Sequence, residues 1–359
     1  MSVASHTGWD VSEEEFPLIA RDEDRIRFLL NYAVLAPSGH NTQPWRFRVV
    51  GEAVELHADR SRRLPEADPG DRELVISCGA ALLHLKLAMR YFGYEGRVRA
   101  LPDRADPDLL AVVELGGRYA PTSAEAMMFR AIRRRHTWRA EFADAPVPAG
   151  VVAALRQAAA GEGARLLVAA ERPQKEIVAD LIAEADRALW SDGRYRGELA
   201  DWCRSNISFR RDGLPGYALG EGALASLVAG VFVRCVDMGG PRGEADRRLA
   251  EDAPVLAVLE TDGDRPEDWL AAGEALAAVL LRAAAEGVSA GFFSGPLEFE
   301  RLRPAVRDAV GGTGYAQMLL RLGFAPGEVR PTPRRTIEDV SAVPAAAVAP
   351  GLFVLPGVF

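Results

Sequence analysis

Apolar residues recur at helical spacing over residues 24–36, at Ile26, Leu29, Leu30, Ala33 and Val34, which predicts an amphipathic helix. Residues 47–50 and 53–57 read as two short strands turned at Gly51-Glu52. Residues 77–93 carry apolar side chains over most of a helical surface, so the pattern predicts a long buried helix stopped by Gly93. Strands follow over 97–100 and 110–115. A second round begins near Thr122 with a helix over 124–134, a helix over 151–160, a strand over 164–170 and a helix over 171–189. Further on come a strand over 253–260, an alanine- and leucine-rich helix over 269–286 ending at Gly287, and a strand over 317–323. The order helix, strand pair, long buried helix, strand therefore occurs twice.

The second copy is the longer, and the excess lies in residues 190–251, rich in Gly, Arg and Asp. Loops of that length are usually functional or mobile. Within it Arg210-Arg211-Asp212-Gly213-Leu214-Pro215-Gly216 is turn-forming, and residues 218–238 are apolar enough to pack as a helical cover. The insert reads equally as a lid or as a peripheral helical hairpin.

A length of 359 residues exceeds the usual single-domain range and favours two domains or a duplicated one. The net charge of −8 argues against nucleic-acid binding, which rests on concentrated positive charge. Basic charge is nearly all arginine, with only Lys86 and Lys175 as lysines, and arginine suits bidentate phosphate recognition. Cys78, Cys203 and Cys235 show neither metal-ligand spacing nor a disulfide framework, so no metal is expected and Cys78 reads as a small buried side chain. The first residues are polar and acidic, unlike a signal peptide, and the expected location is the cytoplasm. The apolar tail 343–359 is broken by prolines and reads as an arm packing on the body or on a partner.

Two motifs carry candidate chemistry. Ala36-Pro37-Ser38-Gly39-His40-Asn41-Thr42-Gln43-Pro44-Trp45 joins the first helix to the first strand with far more polar groups than a bland turn needs. Such a loop can present backbone N–H groups and amide side chains to a planar polar ligand. Arg135-His136-Thr137-Trp138-Arg139 puts two guanidinium groups and a hydroxyl at alternate positions. In an extended segment Arg135, Thr137 and Arg139 point to one side and converge on one anion, for which a phosphomonoester is suited.

The loop order Ala-Pro-Ser-x-x-Asn-x-Gln-Pro-Trp resembles the flavin-contacting loop of the FMN-dependent nitroreductase superfamily, and Arg135, Thr137 and Arg139 occupy the places of its phosphate motif. Arg-Arg-Asp-Gly-Leu-Pro in the insert and Pro-Thr-Pro-Arg-Arg near the end are similar to the Acg-type branch. The resemblance implies an α+β nitroreductase-like fold, two tandem half-units each with a mainly antiparallel sheet flanked by helices. The first spans 1–120, the second 121–340 with the insert 190–251, and an arm 341–359 follows. It implies FMN contacts from Pro37, Ser38, Gly39, Asn41 and Gln43, and phosphate contacts from Arg135, Thr137 and Arg139 with Arg334 and Arg335 returning to them. Ser294, Gly295, Pro296, Leu297 and Glu298 would pass the isoalloxazine edge, with backbone N–H groups at a helix start.

Ordinary members are homodimers whose flavin lies between one subunit's loop and the other's phosphate motif. Here the loop occurs only in the first half and the phosphate motif only in the second. The corresponding places read Arg21-Asp22-Glu23-Asp24-Arg25 and Ala158-Ala159-Ala160-Gly161-Glu162-Gly163-Ala164. The chain is thus expected to be a fused pseudo-dimer, monomeric or further associated, with one working and one degenerate site. The implied activity is NAD(P)H-dependent reduction of a small electron-poor acceptor, a nitroaromatic or quinone, by ping-pong transfer through FMN, with no catalytic side chain. The alternative is an FMN-sequestering protein closed by its insert, without turnover.

Overall fold

The first apolar run closes as helix α1 (Asp22–Ala33), which buries Ile26, Leu29 and Leu30. Strands β1 (Trp45–Val50) and β2 (Ala53–Ala58) form the expected hairpin, turned at Gly51 with φ of 60°. Helix α2 (Arg72–Tyr91) leads to β3 (Tyr94–Ala100) and β4 (Leu109–Arg118). These belong to a computed structural model that describes residues 8–341, so the arm read over 341–359 lies, beyond Ser341, outside the described residues.

The second round is α3 (Ser123–Ala131), α4 (Ala149–Gly161), β5 (Arg165–Val168) and α5 (Arg172–Ser191). The insert holds α6 (Gly193–Trp202), the short parallel pair β6 (Cys203–Arg204) and β7 (Leu214–Pro215), α7 (Ala223–Cys235) and α8 (Gly239–Glu251). Then come β8 (Val255–Thr261), α9 (Pro266–Ala285), β9 (Ser289–Phe292), α10 (Leu302–Ala309), β10 (Tyr315–Gly323) and α11 (Ile337–Ser341).

The fold is α+β, with two four-stranded sheets in the orders β1-β2-β4-β3 and β5-β8-β10-β9. Every pairing in both is antiparallel. Each sheet places a strand pair before its long helix and a strand pair after it, and the spatial order repeats strand for strand.

The two long helices cross at the centre. Each is 20 residues, and each places a glycine eighth: Gly79 in α2 and Gly273 in α9. A Cβ on Gly79 would lie 2.2 Å from the Leu270 carbonyl oxygen, and one on Gly273 2.1 Å from that of Ile76. Only glycines let these backbones approach so closely. Around the crossing, Lys86 of α2 reaches Glu274 of α9 at 2.6 Å and Glu162 at the end of α4 at 3.0 Å. Among the described residues α2 alone is a single helix long and apolar enough to cross a membrane, and it lies buried against α9.

Several boundaries differ from the sequence reading. Helix α2 begins at Arg72, five residues earlier, because the buried Arg72 and its neighbours form a polar first turn that apolar periodicity misses. Strand β9 was hidden because four residues rich in Gly and Ala carry no alternation. The helical cover contracts to α7 because Gly220, with φ of 81°, interrupts the helix.

Candidate functional site

The loop after α1 is a strained turn. His40, Asn41 and Gln43 all have positive φ, at 46°, 55° and 53°. Such residues persist only where surroundings over-determine them, and here the hydrogen bonds do so. The Gln43 N–H donates to Ser38 Oγ at 2.9 Å. Asn41 Nδ2 donates to the carbonyls of Gly213 at 3.0 Å and Pro333 at 3.1 Å. Gln43 Nε2 donates to the Arg211 carbonyl at 2.8 Å, and its Oε1 accepts from the Arg335 N–H at 2.8 Å. Both amides read as ligand contacts are therefore engaged by the insert and by the returning C-terminal strand of chain.

In Arg135–Arg139, Thr137 forms an isolated parallel bridge to Ala290 of β9, while the Arg135 N–H still bonds the Ala131 carbonyl of α3 at 2.9 Å. Arg135 is buried, and its Nη2 approaches the Leu35 carbonyl at 3.4 Å. Arg334, from the other end of the chain, approaches the same carbonyl at 3.5 Å and donates through Nη1 to Asn41 Oδ1 at 2.9 Å. Thus the loop of the first half and the phosphate motif of the second meet at Leu35. Arg139 lies further along, with Nη1 at 3.5 Å from the Ala218 carbonyl of the insert.

This cluster is short of negative charge. Neither Arg135, Arg139 nor Arg334 forms an ion pair with a carboxylate among the described residues, and the buried Nε of Arg135 and of Arg334 finds no acceptor. Burial, and after it neighbouring guanidinium charge, pushes Arg135 and Arg139 down to about 10 and Arg334 to about 9. All three stay cationic at neutral pH. Buried charges of one sign are expensive unless something neutralises them, so the cluster is built to receive an anion.

Arg335, expected beside Arg334, turns the other way. Its guanidinium reaches the Gln43 carbonyl at 3.1 Å and lies 3.8 Å from Asp59. The segment Ser294–Glu298 forms a 3-10 turn after β9, burying Pro296 and Leu297. Gly295 abuts α5, where a Cβ would meet Leu189 Cδ1 at 3.1 Å. Glu298 pairs with Arg72, whose guanidinium also stands 3.8 Å from Glu73. A Cβ on Gly39 would lie 3.4 Å from Glu73 Oε2, so this ion-paired group lies against the loop. Pro37 precedes the turn and is half-buried.

Trp9 and His84 lie outside the two motifs, and Thr332 and His136 lie within quoted motifs without a role assigned from sequence. The Trp9 ring lies 5.5 Å from the Arg334 guanidinium carbon and 5.2 Å from the His136 ring, and Thr332 Oγ1 accepts from Arg334 at 2.6 Å. His84 is fully buried in α2. A hollow of about 260 Å³ opens beside the cluster, lined by Arg134, Arg135 and His136 with the end of α9 and the start of β9. In the places that would match a second site, Asp22 and Asp24 pair with Arg25 and Arg21, and Glu162 is tied to Lys86. No cluster of three or more His, Cys, Asp or Glu suited to a metal occurs among the described residues. Cys78 is buried, which pushes its thiol up, and it donates to the Pro44 carbonyl.

Residues 132–324 match the model of the nitroreductase family. A Mycobacterium tuberculosis protein provisionally named NAD(P)H nitroreductase Rv3131 is 36% identical over 324 residues, covering 89% of this chain and 91% of its own. The protein acg of that organism, also provisionally named an NAD(P)H nitroreductase, is 31% identical, covering 88% and 95%. A crystal structure of the FMN-dependent nitroreductase NfnB from Mycobacterium smegmatis in complex with NADPH aligns with 60% of this chain and 97% of its own, at 17% identity and a TM-score of 0.38.

Proposed function

The chain belongs to the nitroreductase family, with Acg-like relatives, and from that premise we propose that it is an FMN-binding oxidoreductase. It takes electrons from NAD(P)H and passes them to a small electron-poor acceptor, a nitroaromatic or a quinone. The observation that carries this reading is the buried guanidinium cluster without a carboxylate, joined through Leu35 and Asn41 to the strained loop. Its two orphaned Nε donors and its net positive charge fit a phosphomonoester dianion.

When bound, FMN supplies the hydride chemistry. Arg135 and Arg334 would hold its phosphate, with Thr137 and Arg139 contributing from the same segment as Arg135. Ser38 and Gly39 of the loop and the turn Ser294–Glu298 would border the ring, with Asn41 and Gln43 fixing the loop through the insert and the returning chain. Arg72 fixes the turn by pairing with Glu298. Backbone N–H groups in that turn are suited to stabilise negative charge on the reduced ring. His40 and the other histidines are not needed as acids or bases. The matching sheet orders and the complementary motifs support a fused pseudo-dimer with one working site.

A second reading, flavin sequestration without turnover, is favoured by one observation. The insert's Arg211 and Gly213 carbonyls occupy the amides of Gln43 and Asn41, and Asp212 bonds both Arg62 and Arg204. A ring that reached those amides would have to displace the insert. Anaerobic mixing of the FMN-loaded protein with NADH or NADPH separates the two. Bleaching of the oxidised flavin band, and its return on adding a quinone, is expected for the reductase. Bleaching by dithionite alone would establish sequestration, and failure to take up FMN would end both readings.

A further inference from the structure

The exposed apolar side chains of this molecule are concentrated in one place. Of thirteen large hydrophobic residues standing exposed among the described residues, eight lie between Ile207 and Phe232. Helix α7 is their centre, and it is packed inside out. Its buried residues are Ser226, Ala229 and Val233, all of modest size. Leu224, Leu227, Val228, Val231 and Phe232 face outward, with Leu224 82% exposed and Val231 68%. Residues 224, 227, 228 and 231 share one helical face, so the stripe is continuous. A helix built only to pack on its own body would turn these large side chains inward. An exposed stripe of this kind marks a contact surface.

What covers it is indicated by where the described chain stops. Ser341 ends α11, and two residues earlier Asp339 lies 3.7 Å from Arg211 of the insert. Both line a surface hollow of about 490 Å³, together with the wholly exposed Phe209. The same short connection returns to α7, since the Asn206 N–H donates to Ser226 Oγ at 3.0 Å. The described chain therefore ends beside the insert segment that carries the exposed Phe209 and leads on to α7. Residues 342–359 consist only of Ala, Val, Leu, Phe, Pro and Gly, without one charged or hydrogen-bonding side chain. At ~3.3 Å per residue such a segment reaches far beyond the ~20 Å length of α7.

We propose that residues 342–359 cover the outward face of α7 in the same chain, entering past Phe209. Two apolar surfaces, each unsuited to water and adjacent in the fold, then bury one another. Because the insert also grips Asn41 and Gln43, this cover braces the insert against the loop. The proposal is independent of which cofactor the site takes.

The test compares the full chain with one ending at Ser341. It uses hydrogen–deuterium exchange over residues 223–235, binding of an apolar dye, and mass by light scattering. The expected result is a monomer in both cases, with exchange over α7 faster by about tenfold or more on truncation and a clear rise in dye fluorescence. Equal exchange and dye binding in the two monomers would overturn it. So would a dimer that truncation dissolves, since the tail would then join two copies, or one that persists with α7 equally protected in both chains. Should the shortened chain fail to fold, the full-length double variant Phe353→Asp, Leu355→Asp gives the same readouts, and unchanged protection there equally overturns the proposal.

Discussion

His84 sits fully buried and His40 has a buried Nδ1, and both are neutral imidazoles at neutral pH. Burial, and then the charge of Arg139 beside His40 and Arg135 beside His84, lowers them from 6.5 to about 4 and about 3. The unfolded chain binds these protons first, so stability is full above pH 6.5 and falls as the pH drops through that value toward 4. At pH 5 the loss is about 2 kcal/mol for each histidine. Urea titrations at pH 7 and pH 5 of the protein and of a His84→Gln variant should show it as a difference between the two, because the raised carboxyls of Asp68 and Asp186 titrate alike in both. The same pH dependence in both would contradict the His84 environment. Arg135 gives a second residue-scale prediction, resting on the proposed FMN site. Arg135→Ala removes one charged donor, worth about 1.5–3 kcal/mol, so FMN affinity should fall about ten- to a hundredfold by fluorescence titration. Unchanged affinity would remove Arg135 from the phosphate site. The residue types of the cluster were legible because Arg, Thr and Arg alternate. The return of Arg334 to the cluster was legible only through the family resemblance, and its contact with Trp9 was not legible at all, since more than three hundred residues separate the two.

Among the elements, α2 and α9 depend most on single atoms. Gly273→Ala would drive a methyl group into the Ile76 carbonyl. Backbone shift is the only relief, and overpacking of this kind costs about 1–3 kcal/mol or more despite the better helix propensity of alanine. Gly150→Ala in α4 is the control, because a Cβ there meets nothing within 4 Å. It should be neutral or stabilise by up to about 1 kcal/mol. Chemical denaturation of both variants checks the pair, and equal effects would refute the close crossing. The sequence announced both long helices through their apolar coverage but could not announce the crossing. A glycine inside a helical pattern looks like a weakness until the facing backbone is known. In the same way α6 and α8 passed unread, because a polar helix on a mobile-looking insert shows no apolar periodicity.

At the scale of the molecule, two sheets of one topology stand on either side of the central helix pair, and the candidate site brings together the loop, Arg135 and the returning Arg334. The sequence by itself determined the repetition of helix, strand pair, buried helix and strand, because apolar periodicity is local. It determined the two motifs as well, because hydrogen-bonding and phosphate-binding residues carry their chemistry wherever they sit. Only the tertiary structure decided that Arg334 turns into the cluster while Arg335 turns away toward Asp59. It alone decided that the loop amides are held by the insert, and that α7 shows its large side chains to the outside. Direction and partnership depend on segments far apart in the chain, brought together by packing that no local pattern encodes.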